Sequence, residues 1–524
     1  MATPATTPAL ADSPRRWLAL AALTLSVLIV GLDGTIINVA LPTLSTDLGA
    51  DSAQLQWIGG GYLLALSVAM LPAGLLGDRY GHKRLLLGGI TLFGLASLAG
   101  ALVSSTAAVI AVRAVLGLGA AMIMPLSMAI LPRVFAKSEL PKAVAVWTAA
   151  TALGMPVGPV VGGWLLNHFW WGSVFLFNVP VVALALTAAL WLLPSDRSRT
   201  RIQLPTTKAP FDLLGTALSA LGITALVYGT IRIPTEGWTS PFVLATLVAG
   251  FALLTAFVRR QRKTAHPLVD LTLFRSRAFL WGTLLAVFVN FAVMGILFVV
   301  PQYLEAVLGN DALGTGLRVL PLIGGLMAAA TLSEALVPKL GARKVITAGL
   351  LLLAAGAFLG ATTTATDGYG FTALWLALTG LGFGTAVVPA TSLAMGSLPA
   401  DAAGQGTSLL ETVQQVGGVL GVAGLGSLLS AGYLARLTLT GVPSEAAGAA
   451  RDSVSGADAV AAQLHNPELL ASAHVAFTHG MNLVMLACGA ISVLAALLAA
   501  RFVPGSTTAQ PVAATTPVPA ESLA

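Results

Sequence analysis

The chain has 524 residues, of which 56% are hydrophobic and only 9% charged, against roughly 25% charged in soluble domains. That shortage of charge cannot cover a soluble molecule of this size, which leaves a polytopic membrane protein. A net charge of +6 would suit acidic partners, but its distribution, described below, excludes nucleic acid. The one cysteine, Cys488, lies in an apolar run, and the six histidines are scattered without metal-ligand spacing, so disulfides and metal sites are excluded and no cofactor is expected.

Residues 1–14 and 503–524 are rich in Ala, Thr and Pro and read as disordered tails. Arg15-Arg16 followed by an apolar run imitates a secretory signal. That run is too long, however, and no Ala-x-Ala cleavage site closes it, so it reads as an uncleaved first span. From Trp17 to Ala40 its only strongly polar interruptions are Asp33 and Asn38, and a run of that length crosses a bilayer as a helix. Holding Asp33 inside the membrane costs at least ~2.5–3.5 kcal/mol on insertion scales, so such an acid normally faces a partner or a watery cavity.

Apolar windows separated by charged, Gly, Pro or polar punctuation give fourteen spans, near 17–40, 54–76, 84–104, 107–131, 142–166, 172–193, 211–231, 241–258, 279–303, 315–337, 345–361, 371–395, 408–432 and 476–502. An even count puts both termini on one side. With that side cytoplasmic, every one of the 27 Lys and Arg residues lies in a cytoplasmic segment except Arg232, Arg318, Arg436 and Arg451 outside and Arg113 within a span. This positive-inside pattern predicts a multi-pass protein with both termini cytoplasmic and the bilayer as its surroundings, and the Ala- and Gly-rich usage points to a bacterial inner membrane.

Residues 149–166 align without gaps on 412–429 at an offset of 263, with Gly154, Gly158 and Gly163 falling on Gly417, Gly421 and Gly426. With about two residues of slippage, Gly117-Leu-Gly119 echoes Gly382-Phe-Gly384 and Pro125 echoes Pro389, and the same offset carries the first span onto the ninth. The expected all-α architecture has a six-helix half at 15–194, two inserted helices at 211–258 and a second six-helix half at 279–502, the last interrupted by an external segment at 433–475. Parallel six-helix halves around a central cavity are the plan of one large transporter fold.

The link after the second span contains Gly74, Asp78, Arg79, Gly81, Lys83 and Arg84, a turn glycine with a carboxylate and cations that can cap helix ends and pair between helices. Its counterpart, Pro338-Lys339-Leu-Gly341-Ala-Arg343-Lys344, keeps the glycine and cations but has no equivalent of Asp78. In this loop the chain resembles the major facilitator superfamily. Three further stretches bring the resemblance to the fourteen-helix drug:proton antiporter branch, which includes quaternary-ammonium and multidrug exporters. They are Leu32-Asp33-Gly-Thr35-Ile-Ile-Asn38-Val-Ala-Leu-Pro42, Arg113-Ala-Val-Leu-Gly117-Leu-Gly119, and Gly154-Met-Pro156-Val-Gly158-Pro159-Val-Val-Gly162-Gly163 with Phe175-Leu-Phe-Asn178-Val-Pro180 after it. The resemblance covers residues 15–502. It departs at Leu116, where the family usually has Gln, and at Trp171-Gly172-Ser173, where many members have Arg.

The resemblance implies that the loop of Asp78 is a conformational switch, that the Gly154–Gly163 motif is linked to exchange, and that Arg113 tunes a nearby proton-binding acid. Snorkelling to the outer interface is the plainer alternative for Arg113. Small residues and prolines in the fifth span predict a pliable contact between the halves, or simply tight helix packing. Of the acids within spans, Asp33 is the deepest, and its repeat position is Ile296. Glu411 lies a few residues into the thirteenth span, and Glu334 lies near the end of the tenth. Asp33, Glu411 and Arg113 are thus the candidates for coupling protons to substrate. Trp57, Tyr62, Trp147, Phe288, Phe291 and Met294 are candidates for adaptable, cation-π-capable walls of a cavity. The 433–475 segment is expected to be a short helical or hairpin lid.

No phosphate-binding loop, hydrolase elbow or zinc motif is present. The expectation is a monomeric secondary transporter, not an enzyme. It would exchange protons for structurally diverse lipophilic or cationic small molecules, and a carboxylate that holds either a proton or a cation is enough to couple the two. A dedicated exporter of one endogenous metabolite or antibiotic, or a non-transporting receptor on the same fold, are the alternatives.

Overall fold

A computed structural model describes residues 15–48, 50, 52–136, 138–194, 212–237, 239–264, 271–398 and 403–504. Both expected tails lie outside these residues. The first half comprises α1 (Arg15–Leu48), α2 (Ser52–Tyr80), α3 (His82–Leu102), α4 (Thr106–Val134), α5 (Leu140–His168), and a sixth helix broken into α6 (Ser173–Leu176) and α7 (Asn178–Leu192). A hairpin of α8 (Leu213–Glu236) and α9 (Pro241–Gln261) follows. The second half comprises α10 (Arg277–Gln302), α11 (Ala312–Arg318), α12 (Leu320–Leu340), α13 (Ala342–Gly360), α14 (Tyr369–Gly396), α15 (Ala403–Arg436), the short α16 (Ser444–Asp452) and α17 (Val454–Leu464), and α18 (Pro467–Phe502).

Among the described residues there are no strands, and twelve helices are long and apolar enough to cross a membrane. In a bilayer every backbone polar group must be satisfied within the segment, which a helix achieves. The other two expected spans coincide with α5 and α8, which are not among the twelve. The 433–475 segment is helical, with α16 and α17 packed on each other and α17 against α18.

Local sequence sets the breaks. Ser105, Ser276, Ser453 and Asn466 accept backbone N–H bonds at the starts of α4, α10, α17 and α18. Gly81 (φ +104°) and Gly341 (φ +80°) each stand alone between two helices, at equivalent places in the halves. Only a residue without Cβ adopts such backbone cheaply.

The repeat is visible in the packing. Gly158 meets Leu32 and Thr35 of α1, and Gly421 meets Phe291 of α10. Lys83 Nζ donates to the carbonyls of Leu190 and Leu193, tying the sixth helix, and Arg343 Nε donates to Val503 O (2.7 Å) at the end of α18. Gly117 abuts Tyr62 O of α2 and Gly380 abuts Leu322 O of α12, while Gly119 meets Gly89 of α3 and Gly382 meets Leu353 of α13. These contacts register Gly117 on Gly380 and Gly119 on Gly382 with no slippage, which corrects the Gly382-Phe-Gly384 alignment. Composition alone cannot distinguish neighbouring glycines, whereas which helix each one faces can.

Between the halves, α2 and α4 pack on α15, and α5 packs on α11, α12 and α14. Helix α8 contacts both α2 and α15 and so lies across one of these seams.

Candidate functional site

Asp33 sits midway along α1 and is 1% exposed. Its carboxylate accepts Arg113 Nη1 (2.6 Å) on Oδ2 and Asn178 Nδ2 (2.8 Å) on Oδ1. Arg113, on α4, is 0% exposed. Its Nε donates to Ile58 O (3.0 Å) on α2, and its guanidinium lies over the Tyr62 ring, 4.4 Å from the centroid. Tyr62 in turn donates to Val30 O (3.0 Å), and Asn178 reaches Ser97 Oγ (3.3 Å) on α3. Five elements, α1, α2, α3, α4 and α7, thus converge on one carboxylate.

This settles Arg113, which pairs with an acid and does not snorkel. A guanidinium suits the place because it stays charged and offers several donors in a fixed plane. Every side chain of the pair and of its partners belongs to the first six-helix half. The sequence motif contains Asn178 but carries no indication that it would meet Asp33. The missed signal was a lone amide in an apolar window, the same kind of signal that marked Asp33.

Glu411 lies two turns into α15 and is 6% exposed, so it is no surface acid at a helix end. No hydrogen bond or ion pair engages its carboxylate among the described residues. Its neighbours Leu409, Leu410 and Val413 pack into the core that α1–α5 build, which places this stretch of α15 at the contact between the halves. The side chain of Glu334 lies outside the described residues.

Asp78, near the end of α2, accepts the backbone N–H of Gln405 (2.5 Å) in the first turn of α15 and lies 3.2 Å from Nε2 of buried His82. A carboxylate at a helix N-terminus satisfies an orphan donor and complements the dipole. The link between α2 and α3 therefore joins the two halves directly, while Lys83 donates to the α7 end and Arg79 stacks over Tyr80. Arg84 and Gly74 flank this link in the chain.

Of the two expectations for the Gly154–Gly163 motif, the structure shows tight helix packing at its glycines, while α5 as a whole also packs on the other half. Gly154 abuts Gly31 and Leu32, Gly158 abuts Leu32 and Thr35, and Gly162 abuts Ile36, all on α1 of the same half. The glycines therefore seat α5 against α1, the helix that carries Asp33, and do not themselves form the contact between halves. Pro159 and Gly163 are half-buried on this helix, and the side chain of Pro156 lies outside the described residues.

The expected cavity walls scatter. Tyr62 is spent on Arg113, and Trp147 is buried with its indole N–H on Ser127 Oγ (3.0 Å) of α4. Trp57 is 40% exposed and stacks on Tyr228 of α8 at 5.6 Å. Phe291 and Met294 meet the α15 glycines Gly421 and Gly418, and Phe288 is half-buried against the core of the second half. Packing takes up most of these side chains. Among the described residues no group of His, Cys, Asp and Glu could hold a metal.

The sequence profile of the Major Facilitator Superfamily matches residues 23–422. The chain is 35% identical over 506 residues to the tetracenomycin C resistance and export protein of Streptomyces glaucescens, covering 94% of this chain and 93% of that one. It is 35% identical to the methyl viologen resistance protein SmvA of Salmonella typhimurium (81% and 85% covered) and 32% identical to the multidrug efflux pump LfrA of Mycolicibacterium smegmatis (91% and 94%). Two solved structures share the fold. They are the human organic anion transporter MFSD10 (TM-score 0.57, 14% identity, 93% of this chain and 100% of that one) and the proton:xylose symporter XylE (TM-score 0.59, 15% identity, 94% and 97%). By profile, by relatives and by architecture, the chain belongs to the major facilitator superfamily of membrane transporters.

Proposed function

We propose that the protein is a proton-coupled antiporter that exports lipophilic, often cationic, drugs or dyes. The observation that carries this reading is the separation of two buried acids. Asp33 is locked to Arg113 and Asn178 inside the first half, whereas Glu411 has no partner among the described residues where α15 meets the other half. A buried carboxylate without a partner is costly in its charged form, so it is best satisfied by a proton or by a cationic cargo. Asp33, reached only if α1 and α4 shift, then acts as the acid that reports protonation to the helices around it. The link from Asp78 to α15 acts as the latch that opens and closes the seam.

The names of the relatives support drug export as the class. The lengths of α5 and α8 support fourteen crossings, an even number that puts both termini on one side, and the basic loops support the cytoplasm as that side; a bacterial inner membrane and a single chain as the working unit complete the proposal. A second reading is favoured by the relative named for tetracenomycin C, namely a transporter dedicated to one antibiotic-like product.

Everted vesicles energised with an inward-acid gradient test the proposal. Wild type should accumulate a cationic dye and release it when the gradient is collapsed, and Asp33→Asn should abolish accumulation. Glu411→Gln should abolish it for dications and weaken it for monocations. Uptake that is indifferent to the gradient sinks antiport. Movement of a single compound among a varied panel would instead favour the dedicated exporter.

A further inference from the structure

We propose that the foot of the α8–α9 hairpin is a binding site for the headgroup of an anionic phospholipid. Here α9 ends in Arg259-Arg260-Gln261, the turn Arg262-Lys263 follows, and a hollow of about 430 Å³ is lined by Leu214, Leu218, Arg259, Arg260, Lys263 and Thr264. The hollow is shallow and open on its outer side, so it would hold a headgroup against the surface and not enclose it.

The cations divide by what they touch. Asp212, the N-cap of α8, accepts Arg260 Nε (3.0 Å) and Nη2 (2.8 Å) as well as Gln261 Nε2 (3.2 Å). Arg260 is thus neutralised and structural. The side chains of Arg259 and Lys263, four residues apart and both exposed, have no ion pair or hydrogen bond among the described residues. With exposed Arg262, which does not line the hollow, they leave three unmatched positive charges at the end of a segment long and apolar enough to cross the membrane.

The rest of the site distinguishes a lipid from a free anion. Leu214 and Leu218 continue along α8 to exposed Leu221, and the face of Arg259 continues along α9 to exposed Phe251 and Val248. The cations therefore sit at the base of an uncovered apolar stripe that runs toward the middle of the span. A headgroup phosphate would meet the guanidinium and ammonium while its acyl chains lie along the stripe. Free phosphate would gain nothing from the stripe. Basic pockets at the cytoplasmic ends of membrane helices favour anionic lipid for these reasons. Because α8 also packs on α2 and α15, helices of opposite halves, a lipid held here would tie the cover of that seam to the leaflet. The proposal goes beyond the transport reading and stands whatever the cargo is.

Native mass spectrometry of the full chain, titrated with phosphatidylglycerol or phosphatidylcholine, tests it. Wild type should retain phosphatidylglycerol in preference, and the double variant Arg259→Gln with Lys263→Gln should lose at least ~fivefold of that retention. Lys339→Gln with Lys344→Gln, which removes equal charge elsewhere on the basic face, should retain it. Unchanged retention in the first variant, or equal loss in both, overturns the proposal. So does displacement of the lipid by millimolar inorganic phosphate, which would identify a free anion as the occupant. Should the double variant fold poorly, Lys263→Glu alone must show the same selective loss, and its failure to do so counts equally against the site.

Discussion

The two six-helix halves share a backbone plan but differ at their centres. Seating of α5 on α1 is matched by α15 on α10, and the tie of Lys83 to the sixth helix is matched by that of Arg343 to Val503. At the repeat offset, however, Asp33 becomes Ile296 and Arg113 becomes Leu376, both 0% exposed. The second half thus fills the equivalent positions with two apolar residues of one buried cluster, so the fold does not require charges there. Buried ion pairs are often no better for stability than apolar residues of similar volume, which argues that the charges in the first half serve transport.

That contrast can be broken most severely by removing one partner. Arg113→Leu leaves a buried carboxylate with only Asn178 and should cost about 3–5 kcal/mol, seen as a large fall in the thermal midpoint in detergent. Installing the second half's residues, Asp33→Ile together with Arg113→Leu, should recover most of that stability while dye efflux stays absent. If the double variant remains as unstable as the single, the halves are not equivalent in packing and the comparison fails.

A smaller effect is expected at the paired glycines. Gly158→Ala and Gly421→Ala each drive a methyl into α1 or α10 backbone and should cost about 1–3 kcal/mol alike. In efflux assays Gly158→Ala should be the more damaging, because it moves the helix that bears Asp33. Equal transport loss would remove the functional asymmetry.

Asp78 sharpens the contrast further, since the second half has no counterpart. Asp78→Ala removes one cap from α15, worth about 1 kcal/mol. It should open the α2/α15 seam, measurable as greater thiol labelling of a cysteine placed at Gln405.

The smallest expected effect is at Asp212, outside both halves. Burial there raises the carboxyl's affinity for its proton, but bonds from Arg260, Gly215 and Gln261 outweigh burial and hold its pKa below the ordinary 3.8. A depressed carboxylate stabilises the folded state above its unfolded pKa and loses that contribution as pH falls through the folded value. Asp212→Asn should therefore lower the thermal midpoint slightly at neutral pH, and the difference from wild type should vanish in strong acid.

Much of the site was legible as violations of composition. A charge or amide in a bilayer-length apolar run has few explanations, which is why Asp33, Arg113 and Glu411 could be singled out from sequence. Aromatic residues carried no comparable signal, because a ring is at home in core, lipid and cavity alike. Tyr62, Trp57 and Trp147 accordingly found partners that no spacing indicated. The same limit hid Asn178, whose role depends on α7 approaching α1 across 145 residues of chain.

What the sequence determined by itself is the class of molecule: long apolar helices, a twofold internal repeat, basic punctuation on one face and a few expensive charges within. These follow from hydrophobicity and period, which are local properties. Only the tertiary structure decided that Arg113 pairs with Asp33 while Glu411 has no partner among the described residues, that Gly154, Gly158 and Gly162 seat α5 on α1, and that α8 spans the seam. Each of these depends on which helix faces which, and helix pairing is fixed by packing between segments far apart in the chain.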